Sequence, residues 1–102
     1  MGQWFTAISV NELQAGMHTA VEFDDVCLLV VNIDGEFYAI ENVCSHDGGE
    51  LSDGEIDGAE IICPRHGAHF CLKTGKVLSA PAFEDIDSYP VRVVDDIVEV
   101  FV

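Results

Sequence analysis

At 102 residues, the chain has room for one domain, burying somewhat over about 60% of the surface its unfolded form exposes, and little room for a large catalytic pocket. Nineteen Asp and Glu against four Lys and Arg leave a formal net charge of −15, which argues against nucleic acid and anionic membranes as partners and either favours a basic protein surface or simply keeps a small protein soluble. The longest unbroken apolar run, Val26 to Val31, falls far short of the roughly 20 residues of a membrane-spanning helix.

Short stretches rich in Val, Ile, Phe and Tyr alternate with Asp-Gly and Gly-containing turns, and no stretch holds a 3.6-residue apolar period, so the chain reads as all-β. Gln3 to Ile8, His18 to Phe23, Cys27 to Ile33 and Glu36 to Glu41 are the first predicted strands, with Asp34-Gly35 turning the last two into a hairpin. A single helical turn is expected near Val10 to Gln14, stopped by Gly16. Glu55-Ile56 and Glu60 to Cys63 pair across Asp57-Gly58, and Ala68 to Leu72 makes a further strand that turns at Lys73 to Lys76. Tyr89 to Val94 and Ile97 to Val102 close the chain around the acidic turn Asp95-Asp96, with Val98, Val100 and Val102 on one face and Glu99 on the other. There is no internal repeat and no linker, so residues 1–102 are expected to form one domain.

Two loops interrupt this strand order. Cys44-Ser-His46 follows the strand ending near Val43, and Cys63-Pro-Arg-His66 joins Ile61-Ile62 to Phe70. Each offers one thiolate and one imidazole, a donor set that suits a 2Fe-2S centre with Cys on one iron and His on the other. The same four ligands could hold a structural zinc. Zinc modules usually group the Cys on one knuckle and the His on a helix, whereas here the types are interleaved and no helix is predicted to carry the His pair. Nothing in so small a chain points to a Cys-His nucleophilic enzyme, and without a Cys-x-x-Cys a thiol-exchange role is disfavoured.

The blocks Cys44 to Leu51 (CSHDGGEL) and Cys63 to Phe70 (CPRHGAHF) resemble the paired motif of Rieske iron-sulfur proteins. The likeness extends along nearly the whole chain, through Thr74-Gly75, Pro81 and Tyr89-Pro90. It implies an antiparallel β-sandwich or barrel base carrying a cluster-binding subdomain of two ligand loops. It further implies one Rieske-type 2Fe-2S cluster, with Cys44 and Cys63 on the inner ferric iron and His46 and His66 on the outer, reducible iron. Ala80-Pro81-Ala82 stands where the family has a proline-bearing third loop over the cluster. Gly48, Gly49 and Gly67 would let backbone N–H groups approach the sulfurs, or simply make turns. His69 is expected to be a neighbour of the site and not a ligand, His18 an ordinary strand residue, and Cys27 and Cys71 small buried hydrophobes.

Departures from the family pattern refine the class. Respiratory cytochrome bc Rieske proteins carry a second Cys in each loop, joined as a disulfide, and the matching positions here are Gly49 and Arg65. Ala68 replaces a serine that donates to a bridging sulfide in high-potential members. With Asp47, Glu50 and Asp53 close by, the potential is expected at the low end of the Rieske range, around −150 mV. These features resemble the ferredoxins of bacterial ring-hydroxylating dioxygenases, which are not themselves catalysts. The resemblance implies a monomeric one-electron carrier between an NAD(P)H-dependent flavin reductase and a terminal oxygenase. Arg65, Lys73 and Lys76, in or after the second loop, either tune docking against the acidic face or are solvated turn residues. The alternative within the family is the small subunit of a larger reductase such as an assimilatory nitrite reductase; outside it, a zinc-stabilised interaction module. No basic start followed by an apolar stretch marks an export signal, so a cytoplasmic location with reduced or metal-bound thiols is expected.

Overall fold

The structure, a computed structural model, describes residues 2–23 and 25–102. Among the described residues, ten strands run in the order β1 Trp4–Ser9, β2 His18–Phe23, β3 Val26–Ile33, β4 Glu36–Glu41, β5 Glu55–Asp57, β6 Glu60–Ile62, β7 His69–Cys71, β8 Ser88–Tyr89, β9 Val91–Val94 and β10 Ile97–Phe101. A 3-10 turn over Val10–Glu12 follows β1, shorter than the Val10 to Gln14 turn expected. Three antiparallel sheets result, ordered β1-β10-β9, β2-β3-β4-β8 and β5-β6-β7. The first two form the base and the third, with its loops, stands over one side of it.

Strand β3 is the partition between two cores. Leu28, Leu29, Val30 and Val31 are all fully buried, which a one-faced strand would not require. Because side chains alternate, Leu28 and Val30 join Leu13, Ala39, Val98 and Val100 in the base core, while Leu29 and Val31 face the opposite way. They pack with Ile40, Leu51, Ile61, Phe70, Leu72 and Ile86 in a second core that also contains Cys44 and Cys63. The expected alternation of β10 holds in this base core, with Val98 and Val100 buried and Glu99 partly exposed.

Turn chemistry explains the hairpins. Asp34 and Gly35 take φ of 53° and 92°, closing β3 onto β4 with Ile33 opposite Glu36. Asp95 and Asp96, at φ 52° and 64°, do the same for β9 and β10, using the tolerance of Asp for the left-handed region. Two expectations need correction. Asp57 pairs with Glu60, so the β5–β6 loop is Gly58-Ala59 and not Asp57-Gly58. The expected Tyr89 to Val94 strand is broken at Pro90, with β8 pairing β4 and β9 pairing β10. Pro90 has no N–H to extend either ladder, and the chain changes sheet there.

Candidate metal centre

The two loops share one backbone frame. In the first, the Cys44 N–H donates to Gly49 O at 2.7 Å and the Gly48 N–H to Cys44 O at 2.7 Å. In the second, the Cys63 N–H donates to Ala68 O at 2.8 Å and the Gly67 N–H to Cys63 O at 3.0 Å. Each loop thus closes through a glycine four residues after its cysteine, at φ of 74° for Gly48 and 78° for Gly67, where a Cβ would be strained. The sequence carried that signal in the equal Cys-to-Gly spacing. Turn-making, one of the two roles expected for these glycines, is seen directly at Gly48 and Gly67, whereas the Gly49 N–H donates to Asp47 Oδ1 at 2.9 Å.

Backbone N–H groups within the loops also approach sulfur, as expected. Those of His46 and Asp47 face the Cys44 sulfur, and those of Arg65 and His66 face the Cys63 sulfur. Both thiols are buried, and their Sγ atoms lie within 4.8 Å of each other and of an Asp47 carboxylate oxygen. Burial pushes the Cys44 thiol up despite the His46 and Asp47 amides. Burial works against ionisation of Cys63 as well, but the Arg65 and His66 amides, the Cys44 thiol and the Arg65 charge together bring its pKa below the usual thiol value. Amide donors converging on two adjacent sulfurs stabilise thiolate, the form that binds iron.

The imidazoles of His46 and His66 lie on the exposed side. Their rings meet edge to face with centroids 4.9 Å apart, and the His66 side chain is 50% exposed. The four side chains singled out in the sequence thus form two pairs, the thiols of Cys44 and Cys63 buried together and the rings of His46 and His66 in contact at the surface. His69 turns away, its Nδ1 lying 2.9 Å from Glu60 Oε1, and His18 Nε2 is 2.6 Å from Ser52 O. Cys27 and Cys71 are only half-buried, not fully buried as expected.

Asp47 and Arg65 pair across the two loops, a contact the sequence did not suggest. Arg65 Nε donates to Asp47 Oδ2 at 2.6 Å and Arg65 Nη2 to Oδ1 at 3.2 Å. The guanidinium beside Asp47 and the Gly49 amide hold its carboxyl well below the usual carboxylate range. Its negative charge is thus matched locally, by an Arg65 side chain that is itself 37% exposed. Around the loops, Asn42 Oδ1 accepts the Leu51 N–H at 2.8 Å, and Ser45 Oγ donates to Glu84 O at 2.6 Å. The latter contact ties the first loop to the segment after Pro81, whose Ala82 packs in the core beside Cys44 and Cys63.

Two thiolate and two imidazole donors, segregated by depth on matched loops, fit a diiron cluster with unlike ends better than a single tetrahedral ion. Comparison with known proteins agrees. The family model described as the Rieske [2Fe-2S] domain matches residues 3–90. The chain belongs to the Rieske [2Fe-2S] family. It is 48% identical over 88 residues to the 3-phenylpropionate/cinnamic acid dioxygenase ferredoxin subunit of Shigella flexneri, covering 85% of this chain and 82% of that one. The ferredoxin of carbazole 1,9a-dioxygenase from Nocardioides aromaticivorans superposes with a TM-score of 0.92 at 29% identity, covering 96% of both chains. A further match, in a complex of reduced oxygenase and oxidized ferredoxin in carbazole 1,9a-dioxygenase, gives 0.90 at 32% identity over 95% of this chain and 91% of that one. This Rieske protein is a ferredoxin, an electron-transfer component and not a catalyst, and its cofactor is one Rieske-type 2Fe-2S cluster. Among the described residues, no helix is long and apolar enough to cross a membrane.

Proposed function

We propose that residues 1–102 act as a single Rieske domain, a monomer in the cytoplasm, which takes one electron at a time from a flavin-dependent reductase and delivers it to a terminal aromatic-ring-hydroxylating oxygenase. Cys44 and Cys63 hold one iron of the cluster, and His46 and His66 hold the other. The observation that carries this reading is the depth ordering: thiols fully enclosed, imidazoles at the surface. The cluster supplies a one-electron couple, and neutral imidazole in place of anionic thiolate makes the His-bound end the easier one to reduce.

What the chain itself does follows from its residues. The amides of His46, Asp47, Arg65 and His66 stabilise charge on the two cysteine sulfurs. Apolar packing by Leu51, Phe70 and Ala82 keeps water from the inner end. The exposed edges of His46 and His66 give a partner close access for electron transfer. Phe83, 84% exposed between the buried Ala82 and the Ser45-bound Glu84, adds an apolar contact beside that exit. The acidic surface steers a basic partner toward it. Names of relatives that serve cinnamate-type and carbazole dioxygenases support an oxygenase of aromatic substrates as the acceptor.

Iron, acid-labile sulfide, zinc and the EPR spectrum after dithionite reduction test the reading on anaerobically purified protein. Two irons and two sulfides with a Rieske-type signal are expected, lost or crippled in His46→Ala and His66→Ala and kept in His69→Ala. Stoichiometric zinc without sulfide, or bleaching of His69→Ala, would overturn it. Electron delivery to a ring-hydroxylating oxygenase should slow as salt rises, and a flat response removes the electrostatic docking.

A further inference from the structure

Asp47 and Arg65 are placed symmetrically about the site, one residue after His46 in the first loop and one before His66 in the second. Their two-point ion pair, at 2.6 and 3.2 Å, spans loops whose other ties run mainly within each loop. Both partners are further fixed. Asp47 Oδ1 accepts the Gly49 N–H at 2.9 Å, and its Oδ2 lies 3.2 Å from His66 Nδ1. Arg65 Nη2 reaches the Cys63 sulfur at 3.5 Å.

Gly49 makes this arrangement possible. A Cβ built there would lie 2.5 Å from Arg65 Cζ and 2.6 Å from its Nη2, so the guanidinium occupies the space a side chain would fill. Gly49 does not need glycine for its φ, unlike Gly48 next to it. The absence of a side chain at Gly49 therefore serves the position of Arg65.

We propose that Asp47 and Arg65 form a clasp that locks the two ligand loops together and holds a cationic donor against the Cys63 sulfur, slowing cluster loss and raising the reduction potential. This rests on the ligand assignment above. Both are positioning residues, acting through the ligands. A fork-shaped guanidinium suits the role because it can bind a carboxylate at two points and still offer an N–H to sulfur. Reduction adds one negative charge to the cluster, and a donor at a ligating sulfur stabilises the added charge.

Redox titration of the holoprotein, together with the rate of visible bleaching in excess chelator, tests the clasp. Arg65→Gln leaves Asp47 uncompensated and Cys63 without its donor. It should lose the cluster about tenfold faster and disfavour the reduced form about tenfold, equivalent to about 59 mV for one electron. Gly49→Ala keeps both charges but evicts the guanidinium, whose mobile end can swing aside, so it should shift both readouts in the same direction by less. Arg65→Lys should recover most of the potential and only part of the retention. The Asp47→Asn/Arg65→Gln double variant should lose its cluster no faster than the worse single variant. A wild-type potential and bleaching rate in both Arg65→Gln and Gly49→Ala would overturn the clasp alone, as would additive bleaching rates in the double variant. A wild-type protein that takes up no iron and sulfide would overturn the ligand assignment and the clasp's role with it.

Discussion

The two cores on either side of β3 are built by different means. The base core is enclosed by sheet ladders, with β2, β3 and β4 paired over most of their lengths and β1 and β10 bringing the ends of the chain together. The cluster-side core is enclosed by three-residue strands and loops, and its closure relies on single polar contacts such as Asn42 to Leu51, Ser45 to Glu84 and Asp47 to Arg65. Ladders distribute stability over many bonds, while the cluster side concentrates it in a few side chains. That difference teaches where function can be altered without unfolding: the base supports, and the cap sets the chemistry.

The sharpest way to break this comparison lies within β3, where Leu28 and Leu29 are neighbours facing opposite cores. Both are fully buried, so Leu28→Ala and Leu29→Ala should each cost about 2–5 kcal/mol, measured by urea unfolding of the holoprotein. Only Leu29→Ala should also speed cluster bleaching in chelator, because its cavity opens beside the site's own core. Equal bleaching by the two variants would mean that the cores are one mechanical unit.

A smaller effect is expected where the two regions are joined. Asn42 is 4% exposed; its Nδ2 donates to the Cys27 sulfur of β3 at 3.4 Å while its Oδ1 accepts the Leu51 N–H at the end of the first ligand loop. Asn42→Ala strands a buried amide and should cost about 1–3 kcal/mol. Amide hydrogen exchange should show the loss as faster exchange at Leu51 than at β2 or β3. Uniform acceleration across all strands would show that the join is part of the global fold and not a local tie.

How much of this was legible in the sequence follows the same division. β2 and β4 lie where the residues placed them, since alternation and the Asp34-Gly35 turn are local properties read directly from neighbouring side chains. The break at Pro90 was masked because Tyr89, Val91 and Val93 alternate as one strand would, although a proline inside a run is itself a break signal; the sheet partners show which side of it joins which sheet. At the site, ligand types and spacing pointed to Cys44, His46, Cys63 and His66 before any contact was known. The pairing of Asp47 with Arg65 was not readable. It joins residues 18 apart through a loop-to-loop approach, and in sequence each is an ordinary loop charge.

The mildest test concerns Tyr89, which pairs β8 to Ala39 and packs against the base core. Burial raises its phenol pKa, and the carboxylates of Glu41 and Asp87 push in the same direction. The folded protein thus holds this proton more tightly than the unfolded chain. Its contribution is full below the ordinary tyrosine value of about 10 and is lost as pH rises through the higher folded value. Tyr89→Phe removes that titration, so its stability relative to wild type should improve as pH rises above about 10. Because β8 belongs to the base, the change should appear in urea unfolding at alkaline pH while the reduction potential at neutral pH stays where it was. A neutral-pH potential shift in Tyr89→Phe would show that the base does reach the cluster electronically, and the separation of support from chemistry would have to be redrawn at β8.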